Sequence, residues 1–164
     1  MLKKIKNIVS LLITIVIVVL ASIYVVPKVF GYHPTAVLSG SMEPIYPVGS
    51  LIFVQDIDPA TIVKDDIITF SMGNGNTAVT HRVINVNDDQ TFQTKGDANN
   101  VEDGTAVSYQ RVIGKASNFA IPILGYIAVY MNTPIGYIII GVAILTLLVL
   151  SFIGESPKKR EGKR

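Results

Sequence analysis

The sequence predicts a mostly β fold, a small twisted sheet or partly closed barrel, flanked by two transmembrane α-helices. Two stretches, 8–26 and 135–153, are apolar throughout and carry no charged residue. Between them, short β-branched segments alternate with Gly, Asn, Asp and Pro, the pattern of an all-β region. That middle region shows no repeat, no low-complexity tract and no helix-period segment.

Each apolar stretch has 19 residues. A helix of that length measures about 28 Å, close to the hydrocarbon thickness of a bilayer. Lys3, Lys4 and Lys6 precede the first stretch, and Lys158, Lys159, Arg160, Lys163 and Arg164 follow the second. Positive flanks stay in the cytoplasm, so both termini are expected there. The chain then divides into a basic cytoplasmic N-terminus (1–7), a first span (8–26), an extracytoplasmic β-rich domain (27–134), a second span (135–153) and a basic cytoplasmic tail (154–164). This is the topology of a multi-pass protein of the cell membrane. A cleavable leader would have a shorter apolar stretch ending in a small-x-small site, whereas this one runs on into "PKVFGYHP". An uncleaved anchor is expected.

The net charge of +2 belongs to the two ends, because residues 28 to 134 hold six Lys and Arg against ten Asp and Glu. No nucleic-acid partner is implied. With no cysteine, the exported domain has neither a disulfide nor thiolate chemistry, and its stability must come from a packed core.

Candidate strands are "AVLSG" (36–40), "SLIFVQ" (50–55), "DIITFSM" (66–72), "TAVTHRVINVN" (77–87), "TFQTK" (91–95) and "QRVIGKAS" (110–117). "GNGN" (73–76) and "NDDQ" (87–90) read as hairpin turns, because Gly, Asn and Asp tolerate positive φ. Along 77–87, Ala78, Thr80, Arg82, Ile84 and Val86 share one face, and Val79, His81, Val83 and Asn85 share the other. The apolar, proline-broken segment 119–134 is expected to lie at the membrane interface, with Tyr126 and Tyr130 as anchors.

Near the first span, "LSGSMEP" places Ser39 and Ser41 around Gly40. A serine becomes a nucleophile when a base removes its proton and donors stabilise the oxyanion. His33 and His81 are the only histidines. His33, in "GYHPT", reads as an interfacial linker residue. His81 lies in an apolar strand, where it is either a satisfied core histidine or a base. Asp97, Glu102 and Asp103 are the carboxylates available to orient an imidazole, and Asp97 after Gly96 also reads as a turn former. Taken singly, the two serines are equally compatible with a turn before Pro44.

Taken together, "SGSMEP" after an anchor, then "THRV", then "KGDANNVED" occur in an order and spacing that resembles the type I signal peptidases. The match is to the ER-type branch that includes the SipW-like bacterial and archaeal enzymes. It extends over residues 37 to about 111 and takes in "VGSLIFVQ" and "KDDIITF". The resemblance implies a membrane-bound serine endopeptidase that removes N-terminal signal peptides through an acyl-enzyme intermediate, with no metal and no cofactor. It implies Ser41 as nucleophile, His81 as general base in the place where other branches carry lysine, Asp103 as the third catalytic residue and Asp97 as a supporting carboxylate. The oxyanion would be held by the Ser41 amide and the Ser39 hydroxyl, with Gly40 permitting a close approach there. Val37, Met42, Tyr46, Val79 and Thr80 fall where the family lines its shallow pockets for small side chains, and they also read as ordinary core or strand residues. The loop Gly96-Asp97-Ala98-Asn99-Asn100 departs at one position from the family's G-D-N-N.

The partners so implied are preprotein signal peptides and the lipid bilayer, with accessory subunits left open. Two alternatives stand beside this reading. One is a Ser-Lys dyad using Lys64 or Lys95, and the other is a noncatalytic anchored β-domain that binds peptide.

Overall fold

The computed structural model describes residues 2–73, 77–131 and 133–152. The expected turn at 73–76 falls largely outside these residues, as do the basic tail and the last residue of the expected second span. The chain forms two compact units, Tyr24–Tyr130 and Met1–Ile23 with Met131–Arg164.

Among the described residues, the first unit is built on seven antiparallel strands: β1 (Tyr32–Ala36), β2 (Leu51–Gln55), β3 (Ile67–Met72), β4 (Thr77–Asn87), β5 (Thr91–Lys95), β6 (Val107–Ser108) and β7 (Val112–Ala116). They lie in the order β1-β2-β7-β3-β4-β5-β6. The sheet is open, with β1 and β6 at its edges, so the expected partial barrel is not closed. Its long central hairpin pairs Ile68 with His81 and Phe70 with Val79.

Several strand expectations need correction. "AVLSG" is not a strand at 36–40; the strand ends at Ala36 and includes His33 and Pro34. Proline lacks a ladder donor and is tolerated at this position because β1 is an edge strand. His33 is thus a strand residue, and its Nε2 lies 3.0 Å from Asp56 Oδ2. The two-residue β6 was too short to read from alternation. The register shift between Val83 and Asn85 is a bulge. It breaks the expected face, so that Val83 is buried while Asn85 is exposed. The turn after β4 falls where expected, although Gln90 is the residue that takes positive φ there.

β3 is buried on both faces, and successive side chains enter different apolar clusters. Ile67 packs with Met42, Tyr46, Ile52, Val54 and Ala116. Ile68 and Phe70 pack with Ile62, Val83, Phe92 and Val107. Truncating a residue of this kind to alanine typically costs about 2–5 kcal/mol.

Segment 119–134 holds a helix that the sequence reading did not foresee, α2 (Leu124–Met131). It is apolar on all sides and bracketed by Pro122 and Pro134, which hid its period. Gly125 is buried in it, and the Tyr126 ring lies over Gly49.

The helix α1 (Leu2–Val29) is longer than the expected span and includes most of the basic N-terminus. Its stretch Lys4–Val29 is, among the described residues, the one helix long and apolar enough by itself to cross a membrane. The second apolar helix, α3 (Pro134–Phe152), qualifies only if it is counted with α2 across the break between them.

Candidate active site

Ser41 lies in a single 3-10 turn, Gly40–Met42, entered from Ser39 in extended conformation. Three contacts fix the turn. The Met42 side chain is 1% exposed and anchors it in the core. The Glu43 amide donates to the Gly40 carbonyl at 3.1 Å, and the Ala98 amide donates to the Ser41 carbonyl at 2.9 Å.

The crowded glycine is Gly96 and not Gly40. A Cβ on Gly40 would meet nothing closer than the Glu43 carboxyl at 3.5 Å, an ordinary contact. A Cβ on Gly96 would lie 2.6 Å from the Ser41 carbonyl oxygen and 2.7 Å from Asn99 Nδ2. The Gly96-Asp97-Ala98 loop therefore packs its backbone directly under the serine turn.

His81 comes from the middle of β4 and is 7% exposed. The Phe70 ring meets it edge-on, with centroids 6.2 Å apart. Its Nε2 lies 3.2 Å from Ser41 Oγ, and its Nδ1 lies 2.7 Å from Asp103 Oδ2. An ionised carboxylate only accepts hydrogen bonds, so Nδ1 carries the proton, and the Nε2 lone pair faces the serine hydroxyl. Ser39 Oγ lies 3.3 Å from Ser41 Oγ.

Of the three candidate carboxylates, Asp103 is the one bonded to His81. Its loop is docked on β5: the Asp103 amide donates to the Thr94 carbonyl at 2.8 Å, Gln93 Nε2 to the Asp103 carbonyl at 2.6 Å, and Thr94 Oγ1 to Asp103 Oδ2 at 2.6 Å. Asp97 instead takes a two-pronged contact from Arg82, and Glu102 is exposed. The hydrogen bonds and nearby charge of Asp97 raise the guanidinium above its ordinary value. Arg82 Nη1 also donates to the Asp65 carbonyl at 2.8 Å, tying this loop to the entry of β3.

The expected pocket residues divide. Val37 is half-buried against the first cluster and Val79 against the second, while Thr80 Oγ1 lies 2.8 Å from Thr69 Oγ1. Met42 and Tyr46 are closed off from solvent in the core, where the Tyr46 hydroxyl donates to the Ser117 carbonyl. Burial pushes the Tyr46 phenol up to about 12, with Arg82 lowering it and Asp97 raising it.

The sequence reading missed the Arg82–Asp97 pair and the hydroxyl of Thr94. Both left a signal. Arg82 adjoins a candidate base, and Thr94 shares the inward register of β5 with Phe92, a polar residue on an otherwise apolar face.

The serine, imidazole and carboxylate thus form one hydrogen-bonded series of the kind used for acyl transfer. Over 131 residues the chain is 41% identical to signal peptidase I W of Bacillus subtilis (strain 168), covering 73% of this chain and 68% of that protein. It is 35% identical over 107 residues to the signal peptidase complex catalytic subunit SEC11C of Homo sapiens, covering 58% of this chain and 55% of that one. Identity to the SEC11 catalytic subunit of Schizophyllum commune is 28% over 122 residues, covering 58% of this chain and 63% of the relative. The chain spans less than two thirds of the length of these last two relatives. No family model matches. Identity at that level, across two thirds of a bacterial signal peptidase and more than two thirds of this chain, makes the protein a member of the type I signal peptidases, serine endopeptidases of the ER-type, SipW-like branch.

Proposed function

We propose that this chain is a membrane-bound serine endopeptidase in which Ser41, His81 and Asp103 cleave signal peptides from exported preproteins. The observation that carries the reading is the run of two hydrogen bonds from Ser41 through His81 to Asp103.

In this mechanism His81 Nε2 takes the proton from Ser41 Oγ as that oxygen attacks the scissile carbonyl. Asp103 stabilises the imidazolium so formed and holds its orientation. The Ser41 amide and the Ser39 hydroxyl receive the developing oxyanion. His81 then protonates the leaving amine, and the C–N bond breaks. Water, deprotonated by the same nitrogen, hydrolyses the acyl-enzyme and frees the serine.

Substrate binding by strand addition fits the pairing of β4. β5 pairs with Arg82 through Asn87, and among the described residues 77–81 has no strand on that side. An extended peptide laid there would reach His81 through main-chain hydrogen bonds and present alternate small side chains near Val79 and Val37.

The helix Lys4–Val29 serves as the anchor, and the positive flanks of the sequence support a topology with both termini in the cytoplasm and 27–134 outside. A signal peptide's apolar core resides in the same bilayer, so the anchor holds enzyme and substrate at high effective concentration. α3 serves as a second crossing, which makes the protein multi-pass.

The deciding experiment is cleavage of a signal-peptide-bearing preprotein by the purified, detergent-solubilised protein, with the cut located by mass. The wild type should cut after a small residue and Ser41→Ala should not. Cleavage by Ser41→Ala at the wild-type rate would refute the assignment.

A further inference from the structure

We infer that Thr94 is a positioning residue for the reaction, its hydroxyl fixing the Asp103 carboxylate that orients His81. The inference rests on the catalytic reading of Ser41, His81 and Asp103 given above.

Asp103 lies on the irregular segment between β5 and β6, which supplies no ladder of its own to hold a side chain in place. Among the described residues, both side-chain donors to the carboxylate reach the same oxygen: His81 Nδ1 at 2.7 Å and Thr94 Oγ1 at 2.6 Å from Oδ2. A carboxylate free to rotate would exchange its two oxygens between donors. The threonine hydroxyl, bonded to Oδ2 from within the core, leaves one rotation in which that oxygen also meets the imidazole.

Thr94 is suited to this. It is 0% exposed and pairs in register with Val83, two residues along the same face of β4 from His81. A β-branched side chain in a strand has restricted χ1, so its hydroxyl is held in place before substrate arrives. Its carbonyl also accepts the Asp103 amide at 2.8 Å, giving a reciprocal pair between the two residues. Gln93 adds a third tie to the Asp103 carbonyl at 2.6 Å. The backbone bonds hold the loop whatever residue stands at 94, whereas the bond to Oδ2 needs a hydroxyl. A buried hydroxyl must find an acceptor in any case, but this one finds the atom through which the imidazole is aimed.

Thr94→Val keeps the shape and removes the hydroxyl, and Thr94→Ser restores it. The test measures kcat and KM for a signal-peptide-bearing preprotein with the full chain in detergent, alongside thermal midpoints and the Ser41→Ala and His81→Ala variants. Thr94→Val should lower kcat about tenfold, the scale of one hydrogen bond to a charged group, with KM within about twofold of wild type. Thr94→Ser should return kcat to within about threefold. If Thr94→Val fails to fold, Thr94→Ala removes the same hydroxyl and is read in the same way. Unchanged kcat in Thr94→Val, an increase in KM alone, or equal losses in the valine and serine variants would each overturn the inference. Activity remaining in Ser41→Ala or His81→Ala would instead overturn the catalytic reading beneath it.

Discussion

Arg82 grips Asp97 with Nε 2.8 Å from Oδ1 and Nη2 2.6 Å from Oδ2, and the loop so held carries the Ala98 amide that binds the Ser41 carbonyl. A planar guanidinium matches a carboxylate at two points, which an ammonium cannot do. Both side chains are more than two thirds buried, at 25% and 17% exposure. Asp97→Asn should therefore cost about 2 kcal/mol of stability and also lower kcat, because the serine turn loses part of its floor. Arg82→Lys should lie between wild type and Asp97→Asn. Thermal midpoints and cleavage rates of the two single variants and the double variant test this, and additive losses would count against coupling.

Asp103→Asn replaces an acceptor with an amide that is able to present a donor to His81 Nδ1. The imidazole then turns its proton toward Ser41 and cannot accept from it. By analogy with the same change in other serine protease triads, kcat should fall roughly a thousandfold or more, with KM little changed. Wild-type activity should also fall on acidification, because a protonated imidazole has no lone pair for the serine proton. A cleavage rate that stays flat from neutral to acid pH would rule out His81 as the base.

Lys64 and Lys95 are the rival bases from the sequence. It is His81 Nε2 that meets Ser41 Oγ at hydrogen-bond distance, so Lys64→Met and Lys95→Met should keep most of the activity that His81→Ala loses. The reverse ranking in a preprotein cleavage assay would install a Ser-Lys dyad instead.

Tyr46 gives the fold a dependence on alkaline pH. Its phenol titrates at about 12 in the fold against 10.0 ordinarily, mainly because it is buried. Above pH 10 the unfolded chain releases this proton while the folded chain keeps it. The contribution is therefore complete below pH 10 and is lost as the pH rises toward 12. Tyr46→Phe should flatten the fall in thermal midpoint over that range, and an equally steep fall in the variant would contradict the assignment.

The contact between α2 and the loop before β2 leaves no room for added atoms. A Cβ on Gly125 would lie 2.1 Å from the Ser50 carbonyl oxygen, and Gly49, at φ +82°, faces the Tyr126 ring. Gly125→Ala should cost about 1–3 kcal/mol or more. Gly104→Ala, where a Cβ meets open space, should stay within about 0.5 kcal/mol. Comparable thermal midpoints for the two variants would mean that α2 shifts freely.

Much of the sheet was legible because its strands alternate between turn formers, and residues 77–87 and 91–95 have the bounds expected of them. What escaped depended on tertiary placement. Pro34 lacks a ladder donor, so β1 is possible at 32–36 only because it is an edge, and α2 is too uniformly apolar to reveal a period. The open sheet edges were not written in any one strand. At the site, the order of Ser41, His81 and Asp103 was read from a family resemblance, because no spacing rule joins residues brought together by a sheet and a loop. The division of labour between Asp97 and Asp103 is set by tertiary structure, since the course of their loop decides which carboxylate faces the imidazole and which faces Arg82.

Ser41 and His81 stand 40 residues apart along the chain, and His81 and Asp103 a further 22. In synthesis the serine emerges first and the carboxylate last, and the Asp103 amide reaches the Thr94 carbonyl only after both residues have been made. A chain still in synthesis therefore carries the serine before it carries the imidazole. Under the proposed function, the hydrogen-bonded series from Ser41 to Asp103 closes only after residue 103 has been made, so a partly synthesised chain would lack the complete series.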